Sequence, residues 1–217
     1  MVLRPEPGAS MTVARARELG LDPVSVPLFR IEAVGWSAPD PSAFDGVLLT
    51  SANAVHHGGQ QLKRLRGLKA YAVGQATADA ARDAGFDVAA TGQDGVDRLL
   101  GSIEAGLRLL HLCGADRREP DAARQEIVPI AVYQASAIEE PDVSAYSTAV
   151  ALLHSPRAAR RFAALVHRRD GIALAAISEA AAEAAGEGWL SVDVADAPSD
   201  EALLALAARL CDKPPPK

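Results

Sequence analysis

Serines ahead of helix-forming stretches carry the first chemical signal. In Thr50-Ser51-Ala52 and His154-Ser155-Pro156 a short apolar run ends in a polar residue and a serine. Hydroxyls and the free N–H groups of a first helical turn then point into one crevice, an arrangement that holds anions. The same serines also read as plain helix N-caps, and both readings stay open. Gly74-Gln75-Ala76-Thr77 has the same form, with Gly74 allowing close backbone approach and Thr77 offering a hydroxyl to the crevice; an ordinary glycine turn is the alternative. Its counterpart Ser178-Glu179-Ala180-Ala181 lacks that hydroxyl. Cys113-Gly114-Ala115-Asp116-Arg117-Arg118 sets two guanidiniums beside a glycine turn, suited to gripping carboxylates, unless Asp116 and Glu119 neutralise them in a solvated loop. Arg4 ends the equivalent apolar run near the N-terminus, and Arg157 lies in the first turn after Ser155. Tyr133 could donate a proton to a leaving hydroxyl or simply pack across strands.

These residues need elements to hold them. Apolar runs of strand length fall at residues 1–3, 23–28, 47–50, 70–73, 107–112, 127–133, 150–154 and 172–177. Helical stretches fall at 10–19, 52–64, 76–84, 94–104, 156–167, 179–186 and 199–211. The last opens on Ser199-Asp200-Glu201, a capped start with acid in its first turn. The alternation predicts an α/β fold with parallel sheets.

The chain also repeats itself. Residues 47–55 line up with 151–159 at an offset of 104, and the same offset superposes 72–81 on 176–185 and Leu99-Leu100 on Leu203-Leu204. One offset held across three elements predicts a duplicated α/β unit. A weaker match, offset 102, sets Val26-Pro27-Leu28-Phe29 against Val128-Pro129-Ile130-Ala131. These proline segments continue into β-like stretches that read as a two-stranded connector, with a ligand cleft between domains. Spacing alone suggests a simple split near residue 105.

Composition bounds the rest. At 217 residues, 49% hydrophobic and 23% charged, the chain is one large or two small packed domains rather than a disordered scaffold. A net charge of -6 argues against nucleic acid and anionic membranes as partners, so an anionic ligand needs a local cluster. Cys113 and Cys211 have no CxxC spacing, which points to a reducing, cytoplasmic setting. Pro5 and Pro7 interrupt the N-terminus before a secretory core forms, no run approaches a membrane span, and residues 212–217 are expected to fray. Phosphate-loop, dinucleotide, hydrolase-elbow and metal spacings are missing, and the histidines show no metal pattern.

Taken in order, Leu3-Arg4-Pro5, residues 49–55, residues 72–78, Cys113 to Arg118, Val132-Tyr133-Gln134, His154-Ser155-Pro156 and Ala176-Ile177-Ser178 resemble the uroporphyrinogen-III synthase family over nearly the whole chain. The resemblance implies two similar parallel-sheet, flavodoxin-like α/β domains joined by a two-stranded β connector. Domain one would hold residues 1–34 and 137–217, domain two 35–136. It implies a lyase that closes hydroxymethylbilane to uroporphyrinogen III with loss of water and inversion of ring D, through a spiro intermediate, without metal or organic cofactor. Orientation of a flexible substrate, worth roughly 7–11 kcal/mol in favourable cases, would be the main catalytic term. By this resemblance Tyr133 assists departure of the hydroxyl, Thr77 matches a cleft threonine, and Ser51 and Ser155 face the substrate; the strand-end readings above add Arg4, Thr50, Gly74, Gly114, Arg117, Arg157 and Ser178 as residues expected to bind its carboxylates. Ala181 stands where some members carry threonine, which removes a second hydroxyl there. A monomer is expected, with at most a transient contact to the upstream deaminase. The competing reading is a two-domain module that binds or senses an anionic small molecule without chemistry.

Overall fold

Strands such as Gly46-Val47-Leu48-Leu49 and Ile172-Ala173-Leu174-Ala175-Ala176 are buried along their whole length, as parallel strands covered on both faces must be. The computed structural model describes residues 1–93, 95–117, 119–121, 123–143 and 146–212. In chain order the elements are α1 (Gly8–Glu18), β1 (Phe29–Ala33), β2 (Gly46–Leu49), α2 (Ala52–His57), β3 (Lys69–Val73), α3 (Gln75–Asp83), β4 (Asp87–Gly92), α4 (Val96–Ser102), β5 (Arg108–Gly114), β6 (Glu126–Ala137), β7 (Ala149–Leu153), α5 (Pro156–Leu165), β8 (Ile172–Ala176), α6 (Glu179–Ala185), β9 (Ser191–Val194) and α7 (Asp200–Cys211). Two 3-10 segments, Pro41–Ala43 and Gly59–Leu65, complete them. The chain forms two compact units: unit 1 is Met1–Arg30 with the described part of Ala137–Lys217, and unit 2 is Ile31–Ser136.

Unit 2 is built on the sheet order β6-β5-β2-β3-β4, all parallel, with β1 beside β6. Alternate side chains of β2 feed opposite layers. Val47 and Leu49 pack with Ala54, Leu65, Ala70 and Leu112, while Leu48 packs with Leu99, Leu100 and Leu109. Unit 1 has the parallel sheet β7-β8-β9. Val2, Leu152, Ala173 and Ala175 pack there against Ala9 and Ala16 of α1 and Leu203, Leu204 and Leu206 of α7. Elsewhere in unit 1, Phe162 of α5 is fully buried and stacks on Trp189 at 5.4 Å between centroids.

The duplication is visible in the hydrogen-bonding register. Gly46↔Lys69 through Leu49↔Ala72 become Val150↔Ala173 through Leu153↔Ala176, each shifted by 104. Lys69↔Asp87 becomes Ala173↔Ser191 in the same way. Residues 1–3 and 23–28, expected as strands, are not strands but a pair of parallel bridges, Val2 to Leu152 and Val2 to Ser25. Pro23 and Pro27 deny that segment the amides a longer ladder needs. Leu48↔His111↔Pro129 in unit 2 therefore matches Leu152↔Val2↔Ser25 in unit 1. Ser25 and Pro129 are again 104 apart, which corrects the offset of 102.

Other elements differ from expectation. β4 and β9 escape notice because Asp87-Val88-Ala89-Ala90 is rich in alanine and Ser191-Val192-Asp193-Val194 is only four residues long, too short for its alternation to stand out. The helix expected over 52–64 stops at His57, and Gly59, at φ 63°, turns the chain into a 3-10 segment. The helix expected over 94–104 spans Val96–Ser102, and Asp94, like residues 213–217 of the tail, lies outside the described residues.

Candidate active site

In unit 2 the strand carboxyl ends open into a pocket of about 290 Å³ lined by Thr50, Ser51, Val73, Val96, Cys113, Gly114, Asp116, Arg117 and Tyr133. Parallel strands put this lining there, since each runs to the same edge before turning into a helix or loop. Ser51 caps α2, its Oγ accepting from the Asn53 N–H at 3.2 Å. Capping uses the oxygen as acceptor and leaves the hydroxyl proton for another partner. Thr50 Oγ1 sits 2.9 Å from Nε2 of His111, which faces it from β5. His111 is 2% exposed; burial, and then the Arg117 cation, push its pKa down to about 4. The imidazole is therefore neutral at neutral pH, and in the Nε2–H tautomer it donates to Thr50 and frees the threonine proton for the pocket.

Tyr133 is half-buried on β6, paired in register with Gly114, and its carbonyl accepts from the Ala115 N–H at 2.9 Å. A Cβ on Gly114 would stand 2.8 Å from the Tyr133 ring. That glycine makes room for the tyrosine, whatever it also offers a ligand. Arg117 pairs with Glu119 at 3.1 Å, an exposed contact of small energetic weight that an incoming carboxylate can displace. Arg118, its neighbour in the motif, lies outside the described residues. Burial raises the Cys113 thiol pKa, so it stays protonated against the Ile130 carbonyl.

Thr50, Ser51, Gly114, Arg117 and Tyr133 are thus brought together. Gly74 and Thr77 do not join that lining. Gly74 has φ 82° and its N–H is committed to the Gly92 carbonyl at 2.6 Å. Thr77, expected to face the crevice, is 5% exposed, because the first turn of α3 presents it to the packed side of the helix. Arg4, Ser155, Arg157 and Ser178 belong to unit 1. Ser155 and Ser178 cap α5 and α6 at 3.2 and 3.4 Å. Arg157 is exposed, with its guanidinium 4.5 Å over the Phe29 ring. Arg4 turns to Asp200, Nη1 to Oδ1 at 3.5 Å. His111 and Asp200 are the two residues that sequence reasoning passed over. The one signal for His111 was a lone polar residue inside the apolar run 107–112, and Asp200 read only as first-turn acid.

The family model for uroporphyrinogen-III synthase HemD matches residues 10–205. The chain belongs to the uroporphyrinogen-III synthase family. Its function is that of uroporphyrinogen-III synthase, an enzyme of haem biosynthesis, and no comparison favours the binding-module reading. A solved uroporphyrinogen-III synthetase from Helicobacter pylori 26695 aligns with TM-score 0.61 and 19% identity, covering 87% of this chain and 95% of its own. A mutant uroporphyrinogen III synthase from the extremely thermophilic bacterium Thermus thermophilus aligns with TM-score 0.48 and 18% identity, covering 98% of this chain and all of its own. The first likeness supports the α/β, parallel-sheet fold of the uroporphyrinogen-III synthases. No curated protein sequence matches the chain. Among the described residues no helix is long and apolar enough to cross a membrane, and no group of His, Cys, Asp and Glu could hold a metal ion.

Proposed function

We propose that the strand-end pocket of unit 2 grips carboxylates of hydroxymethylbilane and that Tyr133 assists loss of its hydroxyl, making the enzyme a hydro-lyase. The observation that carries this reading is the convergence of Thr50, Ser51, Arg117 and Tyr133 on one pocket of a net-negative chain. Three donors of different reach suit a carboxylate: a guanidinium, a serine hydroxyl with its oxygen already engaged, and a threonine backed by a neutral imidazole. The phenol supplies the remaining need. Proton transfer from Tyr133 Oη to the departing hydroxyl lets it leave as water; the carbon it leaves is attacked by the already substituted α carbon of ring D to give the spiro intermediate, whose original bond to the neighbouring pyrrole then breaks and re-forms at ring D's free α carbon. The tyrosinate regains its proton when the closed macrocycle loses one. Holding the substrate's ends together is the larger contribution, since spontaneous closure competes and gives the unrearranged isomer.

Steady-state kinetics on freshly generated bilane tests these roles separately. Arg117→Ala is expected to raise KM about tenfold with kcat little changed. Tyr133→Phe is expected to lower kcat about 100-fold with KM little changed. Unchanged kcat in Tyr133→Phe removes the phenol from the chemistry, and unchanged KM in Arg117→Ala removes the pocket from binding.

A further inference from the structure

Three residues of the unit 2 pocket are Thr50 after β2, Cys113 near the end of β5 and Val96 in the first turn of α4. The shared register names their counterparts in unit 1. Thr50 answers to His154 and Val96 to Asp200, each 104 residues on. In the ladder Val2 answers to His111, so Arg4 answers to Cys113. In unit 1 these three side chains meet one another. Oδ1 of Asp200 accepts from His154 Nε2 at 2.9 Å and lies 3.5 Å from Arg4 Nη1. From α1, the Thr12 hydroxyl donates to the same oxygen at 2.8 Å and Arg15 Nη1 donates to Oδ2 at 2.9 Å.

Two guanidiniums, a hydroxyl and an imidazole converging on a carboxylate at the strand ends make up an anion site by every local criterion. Its anion belongs to the chain. The Asp200 side chain is 11% exposed, so the carboxylate is largely withdrawn from water while Arg4 and Arg15, 35% and 45% exposed, reach it from the surface. We infer that the strand-end crevice of unit 1 is a carboxylate-binding site held by the chain's own Asp200, which shuts this half of the duplicated fold to anionic groups of a ligand. Where unit 2 has Val96 and an open pocket, unit 1 has an aspartate that fills the equivalent space. A ligand carboxylate enters only by displacing it.

An internal staple between α1 and α7 would use the same contacts but would need the tether to α7; a binding site accepts an untethered carboxylate. Asp200→Ala vacates the clamp, and thermal unfolding is then followed as acetate or formate replaces chloride at constant ionic strength. The expected result is a saturable rise of several degrees in the midpoint of Asp200→Ala, with the wild type unmoved. Asp200→Asn, whose carboxamide still fills the space, shows no such rise, and adding Arg15→Ala to Asp200→Ala abolishes it. Equal midpoints for Asp200→Ala in acetate and chloride, or an equal rise in the wild type, overturn the inference. Should Asp200→Ala not fold in chloride, native tryptophan fluorescence recovered on refolding in acetate supports it, and failure in both salts overturns it.

Discussion

Acid should weaken unit 2 through His111, and the amount can be worked out. Burial holds the folded-state pKa at about 4, below the ordinary 6.5, so the folded state binds its proton less readily than the unfolded chain does. The sign follows from that difference: stability from keeping His111 neutral is present in full above pH 6.5 and is lost as the pH falls toward about 4. A gap of about 2.5 units at roughly 1.4 kcal/mol each makes the loss about 3 kcal/mol, with stability changing most steeply inside that window. His111→Phe keeps a ring in the site and removes the titration. The variant also loses the bond to Thr50, so it should be less stable than wild type near neutral pH by about 1–2 kcal/mol. Urea unfolding across the window should show the wild type falling more steeply than the variant, the two curves crossing between about pH 5 and 6 and the variant being the more stable by about 1–2 kcal/mol near pH 4. His57 and His154 also have lowered pKa values, both chiefly through burial, and contribute equally to both proteins. Parallel stability curves for wild type and His111→Phe would refute the reasoning.

Other substitutions probe the pocket and the fold. Gly114→Ala puts a Cβ 2.8 Å from the Tyr133 ring, so the ring must shift; kcat should fall toward the Tyr133→Phe value, and an unchanged kcat would mean the ring's place is immaterial. Val96→Asp installs in unit 2 the carboxylate that Asp200 provides in unit 1, and should raise KM for the anionic bilane about tenfold while far-UV circular dichroism stays the same. Phe162→Ala removes a fully buried ring stacked on Trp189 and should cost about 3–5 kcal/mol in urea unfolding, a loss below about 1 kcal/mol contradicting the packing.

The parts of the fold legible in the sequence are those where local pattern and tertiary demand coincide. Val47-Leu48-Leu49 and Ala151-Leu152-Leu153 are buried on both faces, so they read as apolar runs, and the repeat between them reappears residue for residue in the register of β2–β3 and β7–β8. The serines at 51, 155, 178 and 199 announce helix starts because capping is a local act, and all four cap. Strands β4 and β9 lie at sheet edges, where an alanine-rich segment or a four-residue alternation is enough to form a strand but too little to announce one. Val2 was legible as apolar, but its seat between Leu152 and Ser25 joins segments far apart in sequence, which no local pattern encodes. The site divides likewise. Thr50, Ser51 and Arg117 stand at strand ends that the alternation predicts, whereas the His111–Thr50 and His154–Asp200 contacts cross between elements and appear only when the chain is folded.

The most direct test of the central claim is the product itself. Purified protein is supplied with freshly generated hydroxymethylbilane, the products are oxidised, and the type I and type III isomers are separated by chromatography. Predominant type III, formed faster than spontaneous closure and reduced in Tyr133→Phe, is the predicted result. Type I at the spontaneous rate would contradict the account.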